Sequence, residues 1–358
     1  SVVYNANKEK EEKIAQILIM TGKEQAAVPE LYAGDIAAVA KLAVTGTGDS
    51  LTVKANQVVI EPIQFSEQTI SMAIEPKNKG DEDKLSGSYQ RLLEEDPTIR
   101  VEKNTETRQT IMKTMGDTHV DIVIEKLARK FGVDVISKEM RIPYRETIRG
   151  TVEAEGKHKK QTGGHGQYGH VWIKFEPTED GEFLFEENVF GGSVPRNYFP
   201  AVEKGLIEAM EEGVLAGYPV TNLKATLYDG SYHSVDSSEM AFKMAARLAY
   251  RKVLEAAKPV LLEPIVNVEI EVPEAYMGDI IGDMNSKRGR VMGMEPAGKK
   301  QIIKAQAPQA EMARYTIDLK SMTQGRGKFR MEFSHYEEVP GQIAEKIIEK
   351  ARQEKEEK

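Results

Sequence analysis

The sequence predicts a multidomain α+β protein, with a partial β-barrel first and two βαββαβ sandwiches flanking a segment of different design. Three observations carry this prediction. Short β-branched runs separated by glycine turns fill residues 1–64. The order βαββαβ then occurs twice, over 65–138 and 259–340. The stretch between, 139–258, is glycine-rich and follows neither pattern.

In the first segment, Ile14–Met20, Ala37–Val44 and Gln57–Ile63 read as strands, punctuated by Gly22, Gly34 and Gly46-Thr47-Gly48-Asp49. The charged run from Lys8 to Lys13 suits a hairpin or loop. So few strands make a truncated barrel rather than a complete one. The first sandwich follows as strand Gln68–Glu75, helix Asp81–Glu95, hairpin Arg100–Glu102 with Gln109–Lys113, helix Asp117–Phe131 and strand Val133–Ile136.

The last sandwich repeats that order without residue-level identity. Its elements are strand Pro264–Val272, a helix opened by Pro273-Glu274 and running through Asn285, hairpin Gly289–Glu295 with Gln301–Ala307, helix Ala310–Lys320 and strand Lys328–Ser334. Both units read as ferredoxin-like. Between them, the glycine-rich Gly156–Gly169 leads into strand Val171–Phe175, with helices at Pro200–Ala216 and Ser237–Ala257. Ser237 or Asp236 is the expected N-cap of the latter, which carries Met240, Met244, Leu248, Arg251 and Glu255 along its turns. Residues 341–358 form a charge-balanced helix.

Composition bounds the function. Asp plus Glu total 57 against 49 Lys plus Arg, a net charge of -8, which excludes a uniformly basic nucleic-acid coat but not a local one. With no cysteine, disulfide scaffolds, thiolate zinc sites and Cys nucleophiles are excluded, and a cytosolic home fits best. No apolar run approaches the roughly 18–20 residues of a spanning helix. The start, Ser1–Asn5, has neither initiator Met nor signal pattern and reads as the interior of a longer protein.

Two nucleotide signatures fail on context. Gly164–Gly169 matches G-x-G-x-x-G, but it opens a strand, whereas a dinucleotide fingerprint must open a helix. Asn78-Lys79-Gly80-Asp81 resembles a guanine-reading N-K-x-D, yet no Gly-Lys-Ser or Gly-Lys-Thr supplies a phosphate loop. His158, His165 and His170 match no standard metal spacing. Ser, His and Asp meet in Tyr228–Ser238, but within one loop and without a nucleophile elbow.

RNA-binding chemistry fares better. Gly156 to Lys174 holds four lysines, five glycines, three of the six histidines, the single Trp172 and no acid. Glycine allows close approach to a phosphate backbone, and Tyr168 offers a stacking face; a surface hairpin over a core Trp is the equally weighted alternative. A second basic area, Met284 to Lys304, holds six basic residues and one acid, and Gly325–Arg330 adds three more.

Several strings resemble elongation factor G. Gln161–His170 (QTGGHGQYGH) and Tyr228–Phe242 (YDGSYHSVDSSEMAF) resemble the two tip loops of its domain IV. Leu262–Ile265, Gly278–Gly289 and Thr323–Gly327 are similar to its domain V, Ser71–Lys77 and Met115–His119 to its domain III, and the opening segment to the second half of its domain II. The resemblance implies domain II over 1–64, domain III over 65–138, domain IV over 139–258 with a βαβ crossover like ribosomal protein S5 domain 2, domain V over 259–340, and a C-terminal helix.

It further implies insertion of domain IV into the decoding site of the small ribosomal subunit during tRNA–mRNA translocation. Gly163, Gly164, His165, Gln167 and Tyr168 would form the first tip loop, and Tyr232 and His233 the second. Lys287, Arg288, Arg290, Arg326 and Lys328 would face ribosomal RNA. The expected partners are the ribosome (16S and 23S RNA regions), tRNA and mRNA, with no membrane and a monomeric chain. No cofactor is expected here, GTP and magnesium belonging to a GTPase domain outside this chain, which is not itself expected to be an enzyme. The resemblance departs at His165, at Gly116-Asp117-Thr118-His119-Val120 and at Ser234, which points to a side branch. A paralogue acting in ribosome recycling or ribosomal protection, and a stand-alone RNA-binding module, are the alternatives.

Overall fold

The computed structural model describes residues 1–65, 68–161, 166–179, 181 and 183–356. They divide into two compact units, Ser1–Met140 and Arg141–Lys358.

The first unit begins with strands β1 (Val2–Asn5), β2 (Lys10–Lys13), β3 (Ile17–Thr21), β4 (Glu24–Val28), β5 (Ala38–Val39) and β6 (Leu51–Thr52). They make two three-stranded sheets, β2-β1-β6 and β4-β3-β5, and no sheet closes into a barrel among the described residues. The charged Lys8–Lys13 run does end a hairpin, β1–β2. The buried Glu12 carboxylate pins the 43–45 segment by accepting the amides of Ala43, Val44 and Thr45 at 2.7, 2.7 and 2.9 Å. The expected strand at Gln57–Ile63 is not formed: Val58, Val59, Ile60 and Ile63 are exposed and pair with no strand. β-branched residues make a strand only where a neighbouring edge accepts them.

The rest of the unit is β7 (Ile70–Pro76), α1 (Glu82–Glu95), β8 (Arg100–Asn104), β9 (Gln109–Thr114), α2 (Asp117–Phe131) and β10 (Val135–Lys138), with the antiparallel order β10-β7-β9-β8. Leu85, Tyr89 and Leu92 of α1 and Val120, Val123 and Leu127 of α2 pack on Ile74 and Met112, the helical period meeting the strand period as the sequence predicts. The two helices are clipped at one end. Asp96 accepts from the Thr98 amide (3.0 Å) and hydroxyl and faces His119 Nε2 at 3.1 Å.

Burial alone would raise the Asp96 pKa, but the Thr98 hydrogen bonds and His119 outweigh it and hold the carboxyl below its usual range. A lowered folded pKa contributes stability present above the unfolded value near 3.9 and lost as pH falls through the folded one. Asp96→Asn is therefore expected to destabilise residues 65–139 by about 1 kcal/mol at pH 7 and by progressively less toward pH 3. Urea unfolding across that range checks it; a pH-independent difference would refute it.

In the second unit, β11 (Arg145–Ile148) precedes the four-stranded sheet of β12 (Val152–Lys160), β13 (Gln167–Pro177), β14 (Phe183–Glu187) and β15 (Leu223–Ser231), ordered β12-β13-β15-β14. β14 and β15 are parallel and joined through α3 (Phe199–Met210); the other pairs are antiparallel. α4 (Glu239–Ala256) lies across β12 and β13 and buries Phe242, Ala245, Ala246, Ala249, Tyr250 and Val253. This is the face opposite Met240, which is exposed. Small alanines win the inner face because the helix sits against glycines: a Cβ on Gly156 would meet Ala245 O at 1.9 Å, and one on Gly169 would meet Ala241 O at 2.3 Å. Those two glycines serve packing, not loop mobility. Val171, Ile173 and Phe175 point into this core, whereas Trp172, between them, is only half-buried on the other face. The cap of α4 is Ser238, not Ser237 or Asp236; its hydroxyl accepts from Ala241 N.

The chain then forms β16 (Pro259–Pro273), α5 (Met277–Ser286), β17 (Arg290–Ala297), β18 (Lys300–Pro308), α6 (Tyr315–Thr323), β19 (Lys328–Glu338) and α7 (Gly341–Glu356). β19-β16-β18-β17 repeats the strand order of the first sandwich. Ile280, Met284, Tyr315 and Leu319 cover one face over Val268, Ile270 and Ile303. One element crosses the expected boundary: β11, from the 139–258 segment, pairs with the first residues of β16. Glu146 on β11 is fully buried and its carboxylate accepts the amides of Leu215, Ala216, Gly217 and Tyr218 at 2.9, 2.9, 2.9 and 3.1 Å. Among the described residues no helix is long and apolar enough to cross a membrane.

Candidate functional site

At one end of the β12–β15 sheet, the start of β13 meets the loop between β15 and α4. Gly166–Gly169 leads into a strand, so the G-x-G-x-x-G string has no helix N-terminus behind it. Gly163, Gly164 and His165 lie outside the described residues. Gln167 and Tyr168 are described and stand beside the second loop, which holds Tyr232 and His233.

Four sequence-predicted residues are thus brought together from positions over sixty apart. Gln167 Oε1 lies 2.9 Å from His158 Nε2 across the β12–β13 hairpin. The Tyr168 hydroxyl and His170 Nδ1 both lie 2.7 Å from Ser231 Oγ. Tyr168 and His233 rings are 6.4 Å apart, tilted by 56°. Tyr232 is 52% exposed and His233 is exposed. His233 Nδ1 accepts the amides of Val235 (3.3 Å) and Asp236 (3.2 Å), which leaves Nε2 as the outward donor.

Two residues that the sequence marked only as cap candidates hold this arrangement. Asp236 Oδ1 accepts Gly166 N at 3.0 Å, and Ser237 Oγ accepts His233 N at 2.8 Å while donating to Tyr168 O at 3.0 Å. No periodicity or motif points to either role, because both depend on a partner far along the chain.

The described residues of this end therefore display amides, phenols and imidazoles, with the Asp236 carboxylate engaged on the Gly166 amide. Such a surface can donate to phosphates and hydroxyls and stack on bases without reading their order.

The basic residues of the last sandwich are differently placed. Arg288 forks onto buried Glu263 at 2.6 and 2.9 Å and reaches Glu311 at 3.0 Å. The Glu263 bonds raise its already high pKa further. Lys287 pairs with Asp318 at 2.7 Å. Arg290–Glu337 (3.2 Å), Lys304–Glu295 (2.7 Å) and Arg330–Glu269 (2.7 Å) form cross-strand pairs on the sheet. The cluster of positive charge in the sequence is thus largely neutralised by acids on other strands and on the helical segments around Glu311 and Asp318. Arg326 is exposed, with its guanidinium 5.7 Å from the Tyr276 ring centre, and Lys328 is exposed.

Comparison with known proteins adds an independent line. Residues 1–54 match elongation factor G domain 2, 65–139 match elongation factor G domain III, 140–258 match elongation factor G domain IV, and 260–347 match the elongation factor G C-terminus. A crystal structure of a protein from Thermus thermophilus superposes with a TM-score of 0.85 at 38% identity, covering 99% of this chain. The chain spans about half of that protein, 53% of its length. Four models of one family, met in order over nearly the whole chain, together with the paired loops at the end of the third, show that this chain belongs to the elongation factor G family.

Proposed function

We propose that this chain is the ribosome-binding part of a translational GTPase that promotes tRNA–mRNA translocation, domain IV entering the decoding site. GTP hydrolysis would belong to a domain outside the chain. The observation that supports it most is the joined pair of loops, presenting Gln167, Tyr168, Tyr232 and His233 from one end of domain IV. Exposed Arg326 and Lys328 supply the stronger of the proposed contacts to ribosomal RNA in the C-terminal sandwich, and Lys287, Arg288 and Arg290 the weaker, being already paired.

A second reading, a paralogue that splits ribosomal subunits, is favoured by Ser234 in the tip loop and by Gly116-Asp117-Thr118-His119-Val120 in domain III, the points of departure from the family's usual strings. The complete factor, assayed with pre-translocation ribosomes, separates the two. Translocation is expected, and His233→Ala is expected to slow it about tenfold, the worth of one or two lost contacts. Inactivity in translocation combined with activity in subunit splitting would overturn the first reading in favour of the second.

A further inference from the structure

We propose that Asp236 and Ser237 are positioning residues that lock the Gly166–Tyr168 segment to the second tip loop as one preassembled surface; this rests on the reading of that end as the RNA-facing one. Neither residue is needed to start α4, since Ser238 is the cap. Both side chains instead reach across to the other loop. Asp236 sends Oδ1 to Gly166 N (3.0 Å), and its backbone carbonyl accepts Tyr168 N (2.8 Å). Ser237 uses its hydroxyl twice, as acceptor from His233 N and donor to Tyr168 O, and Tyr168 and Ser237 also form a parallel bridge.

The chemistry explains why these residue types stand here. An outward carboxylate at an RNA-facing end would repel phosphate; turned to the other loop, the same group accepts the Gly166 amide. A Cβ on Gly166 would lie 2.9 Å from the Asp236 carboxyl carbon, so a side chain at 166 would push the carboxylate off the amide. A hydroxyl is the smallest group that donates and accepts at once, which the position between His233 N and Tyr168 O requires. The locked loops hold the Tyr168 and His233 rings side by side and leave Tyr232 exposed, so the ordering cost is met before a partner arrives.

The test has two arms. In the chain itself, Asp236→Ala and Ser237→Ala are expected to speed amide exchange at Gly166, Tyr168 and His233 about tenfold, the effect of one lost hydrogen bond, leaving Val171 and Ile173 in the same strand unchanged. Ser237→Thr, which keeps the hydroxyl, is expected to restore protection. In the complete factor on pre-translocation ribosomes, each alanine variant is expected to slow translocation about tenfold. Ser237→Ala combined with His233→Ala is expected to slow translocation by less than the product of the two single effects, because the serine acts in part through the histidine it positions. Unchanged exchange in the alanine variants, or additive losses in the double variant, would overturn the proposal. Altered exchange in a factor whose wild type moves no tRNA would instead count against the functional reading of the tip and leave the coupling of the loops standing.

Discussion

Glu146→Ala is expected to cost about 3–5 kcal/mol, because it strands four backbone donors in a site that water does not reach. The carboxylate is fully buried, and the amides of residues 215–218 converge on it as an anion-binding nest. No neighbouring group can take its place, since the space beside it is closed: a Cβ on Gly213 would meet a Glu146 carboxylate oxygen at 2.2 Å. The isosteric Glu146→Gln separates charge from shape. Its oxygen can keep the three amides now held by Oε1, while its NH2 would face Leu215 N. A loss of about 1–3 kcal/mol follows for that single unsatisfied donor. Chemical unfolding of the chain, with amide exchange at 215–218, checks both values. Equal stability of the wild type and the alanine variant would refute the account. Because β11 also pairs with β16, loss of the nest is expected to loosen the joint between domain IV and the C-terminal sandwich before either core opens.

Gly156→Ala is expected to be the most damaging single methyl in domain IV, lowering stability by about 3 kcal/mol or more. The added carbon would sit 1.9 Å from Ala245 O and 2.9 Å from Ala249 Cβ. Neither obstacle can rotate away, one being helix backbone and the other a side chain with no rotamer. Nor can α4 retreat freely, since α3 packs against it where a Cβ on Gly205 would touch Lys243 O at 2.7 Å. The control is Gly87→Ala, at an exposed position of α1, where a Cβ meets nothing within 4 Å. That change is expected to stabilise by about 0.5–1 kcal/mol through helix propensity. Melting curves of the two variants should move in opposite directions, and a stable Gly156→Ala protein would refute the close helix–sheet contact.

Much of the fold was legible because periodicity reports burial locally. α2 occupies Asp117–Phe131, as its apolar spacing predicts, and both sandwiches show the expected βαββαβ order. The errors fall where a long-range partner decides. Gln57–Ile63 has the residues of a strand but no edge to join, and β16 begins at Pro259 rather than Pro264 because β11 offers its first residues a partner. The basic run from Met284 to Lys304 looked free in sequence, yet it is matched by acids such as Glu263 and Glu337, which lie on other strands. The Gly156–Gly169 stretch read equally as an RNA-approaching loop or a surface hairpin; the structure places Gly156 and Gly169 on the paired strands β12 and β13, close against α4, a packing that glycine-rich sequence does not reveal.

By itself the sequence determined the order of elements in the two sandwiches and the family resemblance, since each rests on neighbours in the chain. Only the tertiary structure assigned Asp236, Ser237, Glu146 and Gly156 their roles. The physical reason is the same in each case: a buried acceptor or a missing side chain takes its meaning from the backbone it meets, and that backbone arrives from about seventy to ninety residues away.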